Sequence, residues 1–453
     1  MKERKQLKAN LTSGDVLKHL VSLTLPMSFG VFTIIGFNLA DTFFVGQLGS
    51  TELAAMAFTF PIPMIVGSIS FGIGAATSSF TSRALGSGNV EKVKDYTSYS
   101  LLLAIMIVTV VAIVGFLTIE QQFRLMGADD TVMPFIKEYM SIWYLTTPFI
   151  VIPMAGNSVI RSLGDTKSPA IVMAVAGLVN VIIDPLLIFG IGPFPELRLQ
   201  GAAIATAVSR VLTLIASLYM LHYRYGVLKN PFNNLTKLLT VWKDIISLAI
   251  PATLTNIVTP FSIAIVTKMV SNYGNKVVAG FGVGSRIESF MAIFLIGLSA
   301  SLAPFVGQNF GAKKLQRINK ALRYANTFPL IWASICFIVI FFASDYISSI
   351  FNSDPLVIAA SRDYLLIITI GLIGNGILQN VVNVFNVLGK PKISLVANVF
   401  KMFIIYLPYA LILQGSYNHY GIYMAGLAAH LITGLLAYLY LKKTCFIKKA
   451  VEA

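Results

Sequence analysis

Apolar residues run along this chain in long blocks separated by short polar segments. Twelve such blocks lie at residues 16–47, 53–82, 95–117, 132–162, 169–192, 201–223, 245–271, 277–307, 320–343, 354–388, 392–413 and 420–441. Each reaches about 20 residues or more, and a helix of that length crosses about 30 Å of hydrocarbon. The pattern predicts an all-α polytopic membrane protein with twelve transmembrane helices. The opening segment, MKERKQLKANL, is polar and basic. The apolar run after it is too long for a signal peptide and offers no small-residue cleavage site.

The polar breaks carry a second pattern. Basic residues collect at Lys2, Arg4, Lys5 and Lys8, then in every other break: 83–94, 161–167, 224–243 and 313–323. Lys390 and Lys392 continue the series, and Lys442, Lys443, Lys448 and Lys449 close it. The intervening breaks hold few, mainly Arg124, Arg198 and Lys276. By the positive-inside rule the basic side is cytoplasmic, which puts both termini there and makes the number of spans even. The expectation is a multi-pass protein of the cell inner membrane, a monomer in the lipid bilayer. The net charge of +15 then reports orientation and implies no nucleic-acid partner. Charged residues are 12% of the chain, against about 25% in soluble domains, too few to solubilise a surface of this size.

The chain also repeats itself. Gly49 and Gly274 are 274 − 49 = 225 residues apart, and the same ungapped offset pairs Pro26 with Pro251, Ala54 with Ala279 and Gly86 with Gly311. It continues through Asp129/Asp354, Tyr139/Tyr364, Gly164/Gly389, Lys167/Lys392 and Gly201/Gly426. Six spans separate equivalent points, so the halves share one orientation. This is a parallel repeat about an axis along the membrane normal, a plan found among secondary transporters. The expected lobes are residues 1–222 and 244–453, six helices each, joined by a polar cytoplasmic linker at 223–243.

Enzyme chemistry finds no footing. There is no phosphate-cradling GxxxxGK[ST] loop, and Cys336 and Cys445 fit neither a disulfide nor a metal spacing. The four histidines, His19, His222, His419 and His430, are scattered. No enzyme, no cofactor and no protein-bound metal are expected.

Ionisable residues inside spans are costly, so each is a functional candidate. Asp41 lies about eight residues before Gly49, and Asp184 about nine before Pro193. At 1.5 Å per residue both sit roughly 12–14 Å below the outer membrane face. Asn38 and Asn180 share a helix face with Asp41 and Asp184 respectively. Tyr139 and Thr206 enter from the outer ends of their spans at comparable depth. Asp41, Asp184, Asn180, Tyr139 and Thr206 offer an ion-coupling cluster, and Asn38 is a candidate for the substrate cavity. Two confined carboxyls can take up and release a proton, or bind sodium, a hard cation that takes oxygen ligands. The competing view makes them satisfied structural polar groups. The repeat favours function, because the mates of Asp41 and Asp184 are Val266 and Tyr409. A purely structural need would recur in both halves.

The second half has charges of its own: Arg286, Glu288 and Lys401. Glu288 and Lys401 can form a structural ion pair or belong to a second coupling or substrate site. Lys268 is near an outer end and can snorkel. Gln379, Asn380, Asn383 and Asn386 are read as interhelical contacts first and cavity lining second. Pro26 and Pro251 each remove a backbone hydrogen bond at the same point of spans 1 and 7 and permit a bend. Pro26 is the hinge candidate.

These motifs resemble the multidrug and toxic compound extrusion (MATE) family. The resemblance rests on LTLPMSFG, FNLADTFFVGQLGSTELAA, GIGAATSSFTSRALGSGN, GNSVIRSLGDTKSP, NVIIDPLLIFG, GAAIAT, GSRIESF, SASLAPFVGQNFGA and NVLGKPKIS, and it covers residues 15–441. The acids Asp41 and Asp184 are similar to those of the DinF-like branch. The resemblance implies coupling to protons, or to sodium as second choice, through Asp41, Tyr139, Asn180, Asp184 and Thr206. It implies that Asn157 lines a substrate chamber and that Pro26 bends on protonation. The NorM-like branch carries acids in spans 7 and 10, and the corresponding segments here, PATLTNIVTPFSIAIV and LIGNGILQNVVNVFNV, have none. The implied function is a secondary antiporter that exports small organic compounds, amphipathic and often cationic, by alternating access. A lipid-linked saccharide flippase would need a cationic cavity and two further spans. An ion channel would need no two-lobe repeat.

Overall fold

The computed structural model describes residues 7–446. Lys2, Arg4, Lys5, Lys448 and Lys449, which the orientation argument uses, lie outside that range. The described chain is helical: α1 (Val16–Gly46), α2 (Ser50–Thr59), α3 (Pro61–Gly86), α4 (Val90–Leu117), α5 (Ile119–Leu125), α6 (Met133–Ser162) and α7 (Lys167–Ile188). There follow α8 (Arg198–Tyr219), α9 (Leu235–Ser271), α10 (Asn275–Gly311), α11 (Leu315–Ser349), α12 (Pro355–Val387), α13 (Pro391–Val399) and α14 (Leu407–Leu441). Among the described residues ten segments are long and apolar enough to cross a membrane. The last of them, Pro391–Thr444, is 54 residues long, about 80 Å of helix and too much for one crossing. It breaks at Asn418, whose backbone is non-helical, giving two spans. The 30-residue α6 supplies another, so 10 + 1 + 1 = 12 crossings.

The repeat is written into the turns. Gly49 and Gly274 precede α2 and α10 at φ +146° and +100°. Gly164 and Gly389 follow α6 and α12 at φ +89° and +79°, where a glycine ends a helix without a Cβ penalty. Asp129 and Asp354 each accept backbone N–H groups at the start of a helix, from Val132 at 3.2 Å and Leu356 at 2.9 Å.

Two compact units result, and they are not continuous stretches of chain. The first gathers residues 7–10 and Phe29–Thr253, the second Leu11–Ser28 and residues 254–446. The division points obey the repeat: 253 − 28 = 225. The start of α1 therefore packs in the second unit, where Val16, Leu20 and Leu23 meet Leu298, Leu302 and Phe305. The start of α9 packs in the first, where Val241, Ile245 and Ala249 join the core around Tyr99 and Phe123. Glycines admit these crossings. A Cβ on Gly297 would lie 2.2 Å from the Ser28 hydroxyl, and one on its repeat mate Gly72 would lie 2.0 Å from that of Thr253.

In the first unit the segment after α8 is held at its acidic anchors. Tyr225 donates to buried Asp165, which also sits 3.5 Å from Arg224. Lys229 and Lys237 pair with buried Asp95. The segment expected as a linker thus begins against the first unit and passes directly into α9.

Candidate functional site

The sequence of α7 shows how an acid is placed inside protein. Ile171, Val175, Leu178 and Ile182 recur at helical spacing and are all more than half exposed. An uncovered apolar stripe on a membrane-crossing helix is the face for lipid. Opposite it Ala176, Gly177, Asn180 and Asp184 are buried. Pro185 removes the hydrogen bond to the Val181 carbonyl beside this acid.

Asp184 is fully buried. Asn180 Nδ2 donates to its Oδ1 at 3.3 Å, while Asp184 Oδ2 and Asn180 Oδ1 meet no partner. Asp41, half-buried on α1, also keeps Oδ1 buried and unpartnered. The two acids are within electrostatic reach of one another. Buried Tyr139 on α6 is within reach of both acids and of Arg210 on α8. Thr206 stands half-buried one helical turn before Arg210. Asn157, further along α6, is buried with its Oδ1 free. Asn38 is exposed, and only its backbone carbonyl is engaged, by Thr42 at 2.9 Å. So Asp41, Asp184, Asn180 and Tyr139 come together, Thr206 lies on an adjoining helix, and Asn38 is exposed without a side-chain bond to either acid. The free oxygens of Asp41, Asp184 and Asn180 form an acceptor set that a proton or a hard cation would satisfy.

The second unit treats its acid differently. The expected Glu288–Lys401 ion pair is not formed. Instead Tyr364 of α12 donates to Glu288 Oε2 at 2.5 Å. The reason lies one turn earlier on α10: Gly284 leaves room for the Tyr364 ring, whose Cδ1 a Cβ would approach to 2.5 Å. Phe281 and Tyr423 hold the ring edge-on at centroid distances of 5.2 and 5.0 Å. Lys401 acts on Glu288 only at longer electrostatic range. Arg286 is exposed. Asn380 donates to the Ala325 carbonyl at 2.7 Å, and Asn383 to the Ser299 hydroxyl at 2.7 Å, each tying α12 to a neighbouring helix. Pro26 lies inside α1 within the second unit.

Sequence reasoning missed Arg210. It sits in AVSRVLTLIAS, and a charge inside an apolar run is itself the signal. It is buried, donates to Thr146 Oγ1 at 2.9 Å and lies 4.9 Å from the Trp143 ring centre. Tyr364 was named only as a repeat position, and nothing in its spacing to Glu288 reveals the contact.

Comparison with known proteins agrees with this architecture. The sequence pattern of the MatE family matches residues 26–186 and 251–412, two copies starting 251 − 26 = 225 residues apart. A protein of Shewanella oneidensis described as an FAD transporter is 37% identical over 98% of both chains. The multidrug export protein MepA of Staphylococcus saprophyticus is 24% identical over 94% of this chain and 93% of its own. Among solved structures, the Vibrio cholerae MATE transporter VcmN in its bent form superposes with TM-score 0.88 at 30% identity. That alignment covers 95% of this chain and 97% of that one.

Proposed function

The chain belongs to the MATE family of multi-pass membrane transporters, and from that premise we propose that it is a secondary antiporter exporting an organic compound in exchange for protons. Members of the family move small molecules, are not enzymes and need no cofactor. The observation that carries the ion-coupling reading is the buried Asp184–Asn180 pair facing Asp41, with an oxygen left free on each of the three residues. A cation arriving from outside neutralises the acids and releases the compound. The carrier, free of compound and loaded with the cation, turns inward, and the cation leaves to the cytoplasm as new substrate binds. Sodium is the second choice of ion, since the same oxygens would serve it.

Two substrate classes follow from different observations. The acids of the first unit suit an amphipathic cation, and MepA is a multidrug exporter. The 37% relative is an FAD transporter, and its identity over nearly the whole length makes a flavin dinucleotide the first compound to test. The chain would be expressed in a host lacking its own flavin and multidrug exporters. FAD in the medium and resistance to ethidium would be measured side by side, with Asp184→Asn as control. Secreted FAD that falls to background in the variant supports flavin export. Ethidium resistance without FAD secretion supports the cationic class. Neither activity in a well-expressed protein removes both.

A further inference from the structure

Each acid of the first unit lies one helical turn before the C-terminal end of its helix. Val45 stands at i+4 from Asp41, and Ile188 at i+4 from Asp184, so each shares a face with its acid. Both are fully buried, and they belong to one apolar cluster with Leu199 of α8. Phe44 and Phe189 meet edge to face, their ring centres 6.5 Å apart, so the ends of α1 and α7 touch. The start of α8 is pressed on the end of α7. Leu197 N–H donates to the Leu187 carbonyl at 2.9 Å, and a Cβ on Gly201 would lie 2.6 Å from that oxygen. The placement of these two helix ends therefore governs how far apart Asp41 and Asp184 stand.

An ion pair ties the same two ends together. Glu52, in the first turn of α2, is only 4% exposed, and its carboxylate pairs with Arg198, the first residue of α8. Glu52 Oε2 folds back over the turn that follows α1, where a Cβ on Gly49 would approach it to 2.8 Å. Arg198 stands at φ +48°, a left-handed conformation that a residue with a Cβ keeps only when its surroundings hold it. The pair thus joins the turn after α1 to the turn after α7. In the second unit the equivalent positions are Val277 and Tyr423, which pack in one apolar cluster. The unit whose acids lie on α1 and α7 closes this corner with charge, and the other closes it with apolar side chains. A guanidinium–carboxylate contact is directional and fixes geometry more closely than apolar packing does.

We propose that the Glu52–Arg198 ion pair is a positioning clamp for the ion site, holding the ends of α1 and α7 at the spacing that Asp41 and Asp184 need to bind a cation together. Neither residue touches the ion; both act through the helices that carry the acids. The proposal rests on the ion-coupling reading above. Two carboxyls share one cation only while their separation is fixed, so a loosened clamp uncouples substrate from ion without removing either acid.

The test uses purified full-length protein carrying Cys336→Ser and Cys445→Ser, with two readouts. The first is the distance distribution between spin labels on Phe43→Cys and Ile182→Cys, exposed positions beside Asp41 and Asp184. The second, without labels, is the number of protons released per ethidium or FAD bound. Arg198→Ala and Glu52→Gln should broaden the distribution. Each should also lose at least about half of the protons released per ligand, as a weakened coupling free energy requires. Arg198→Lys, still charged, should keep most of both. Should the charge-removing variants not fold, Glu52→Cys with Arg198→Cys is joined by a reducible bis-maleimide. Proton release is then compared before and after the link is cut, and it should fall on cutting. An unchanged distance distribution in Arg198→Ala overturns the clamp, and so does a broadened one with wild-type proton release. Release that survives cutting the link overturns it as well. Ligand binding to wild type with no proton release counts against proton coupling, while the label distances separately decide whether the pair holds the two helices.

Discussion

The two compact units share a scaffold and differ in what they do with an acid. Tyr139 and Tyr364 are repeat mates, and each lies near carboxyl groups inside its unit. In the first unit the acids come from α1 and α7, and oxygens of Asp41 and Asp184 remain free. In the second the acid comes from α10, and the tyrosine hydroxyl itself binds Glu288. The repeat mate of Glu288 is Pro63, so neither unit's acid has a counterpart in the other. A buried acceptor already given a donor is a settled structural contact. A buried acceptor left open costs free energy until something binds, which is the condition for an ion site.

The largest expected effect breaks the comparison if it fails. Asp41→Asn and Asp184→Asn should each reduce export to the level of empty vector at equal membrane expression, whereas Glu288→Gln should keep most of it. Export assays with immunoblotting check this, and equal loss in all three variants would erase the asymmetry. Next comes stability. Tyr364→Phe leaves the partly buried Glu288 carboxyl without its donor and should cost about 1–3 kcal/mol. Thermal unfolding in detergent should show that loss, with a smaller one for Tyr139→Phe, whose hydroxyl donates to no acid among the described residues. Of similar or smaller size are Gly72→Ala and Gly297→Ala, where the new methyl meets Thr253 and Ser28. Overpacking of this kind costs about 1–3 kcal/mol. Gly67, with nothing within 4 Å of an added Cβ, is the control that should not change. Matching losses at Gly72 and Gly297 would sharpen the view that the helix crossings are equivalent. Last is Asp95→Asn, where a buried carboxylate loses its ion pairs to partly exposed Lys229 and Lys237, and thermal unfolding should show a loss of stability. Its repeat mate is Lys320, so only the first unit holds the connecting segment in this way.

Much of this was legible in the sequence because a bilayer demands it. Spans must be long and apolar, so twelve blocks could be counted, and glycines that end helices at positive φ kept the repeat in register. The acids Asp41 and Asp184 stood out for the same reason, as charges that hydrocarbon does not tolerate. Contacts between helices were not legible. The meeting of Tyr364 with Glu288 depends on which face of α12 turns toward Gly284, and spacing along one helix does not encode the neighbour's rotation. The expected Glu288–Lys401 pair failed there, since opposite charge alone does not fix geometry. The exchange of the first halves of α1 and α9 was equally hidden, because the chain continues as helix through Ser28 and Thr253 with no break in pattern.

The central claim is that a cation on Asp41 and Asp184 and the exported compound exclude one another. Linkage makes the effect reciprocal: if protons weaken substrate binding, substrate must expel protons by the same coupling free energy. The direct measurement is proton release on adding FAD or ethidium to purified protein in weakly buffered detergent solution. The account predicts a stoichiometric release from wild type and none from the Asp41→Asn, Asp184→Asn double variant at saturating substrate. Undiminished release from the double variant, or binding to wild type with no release, would contradict it.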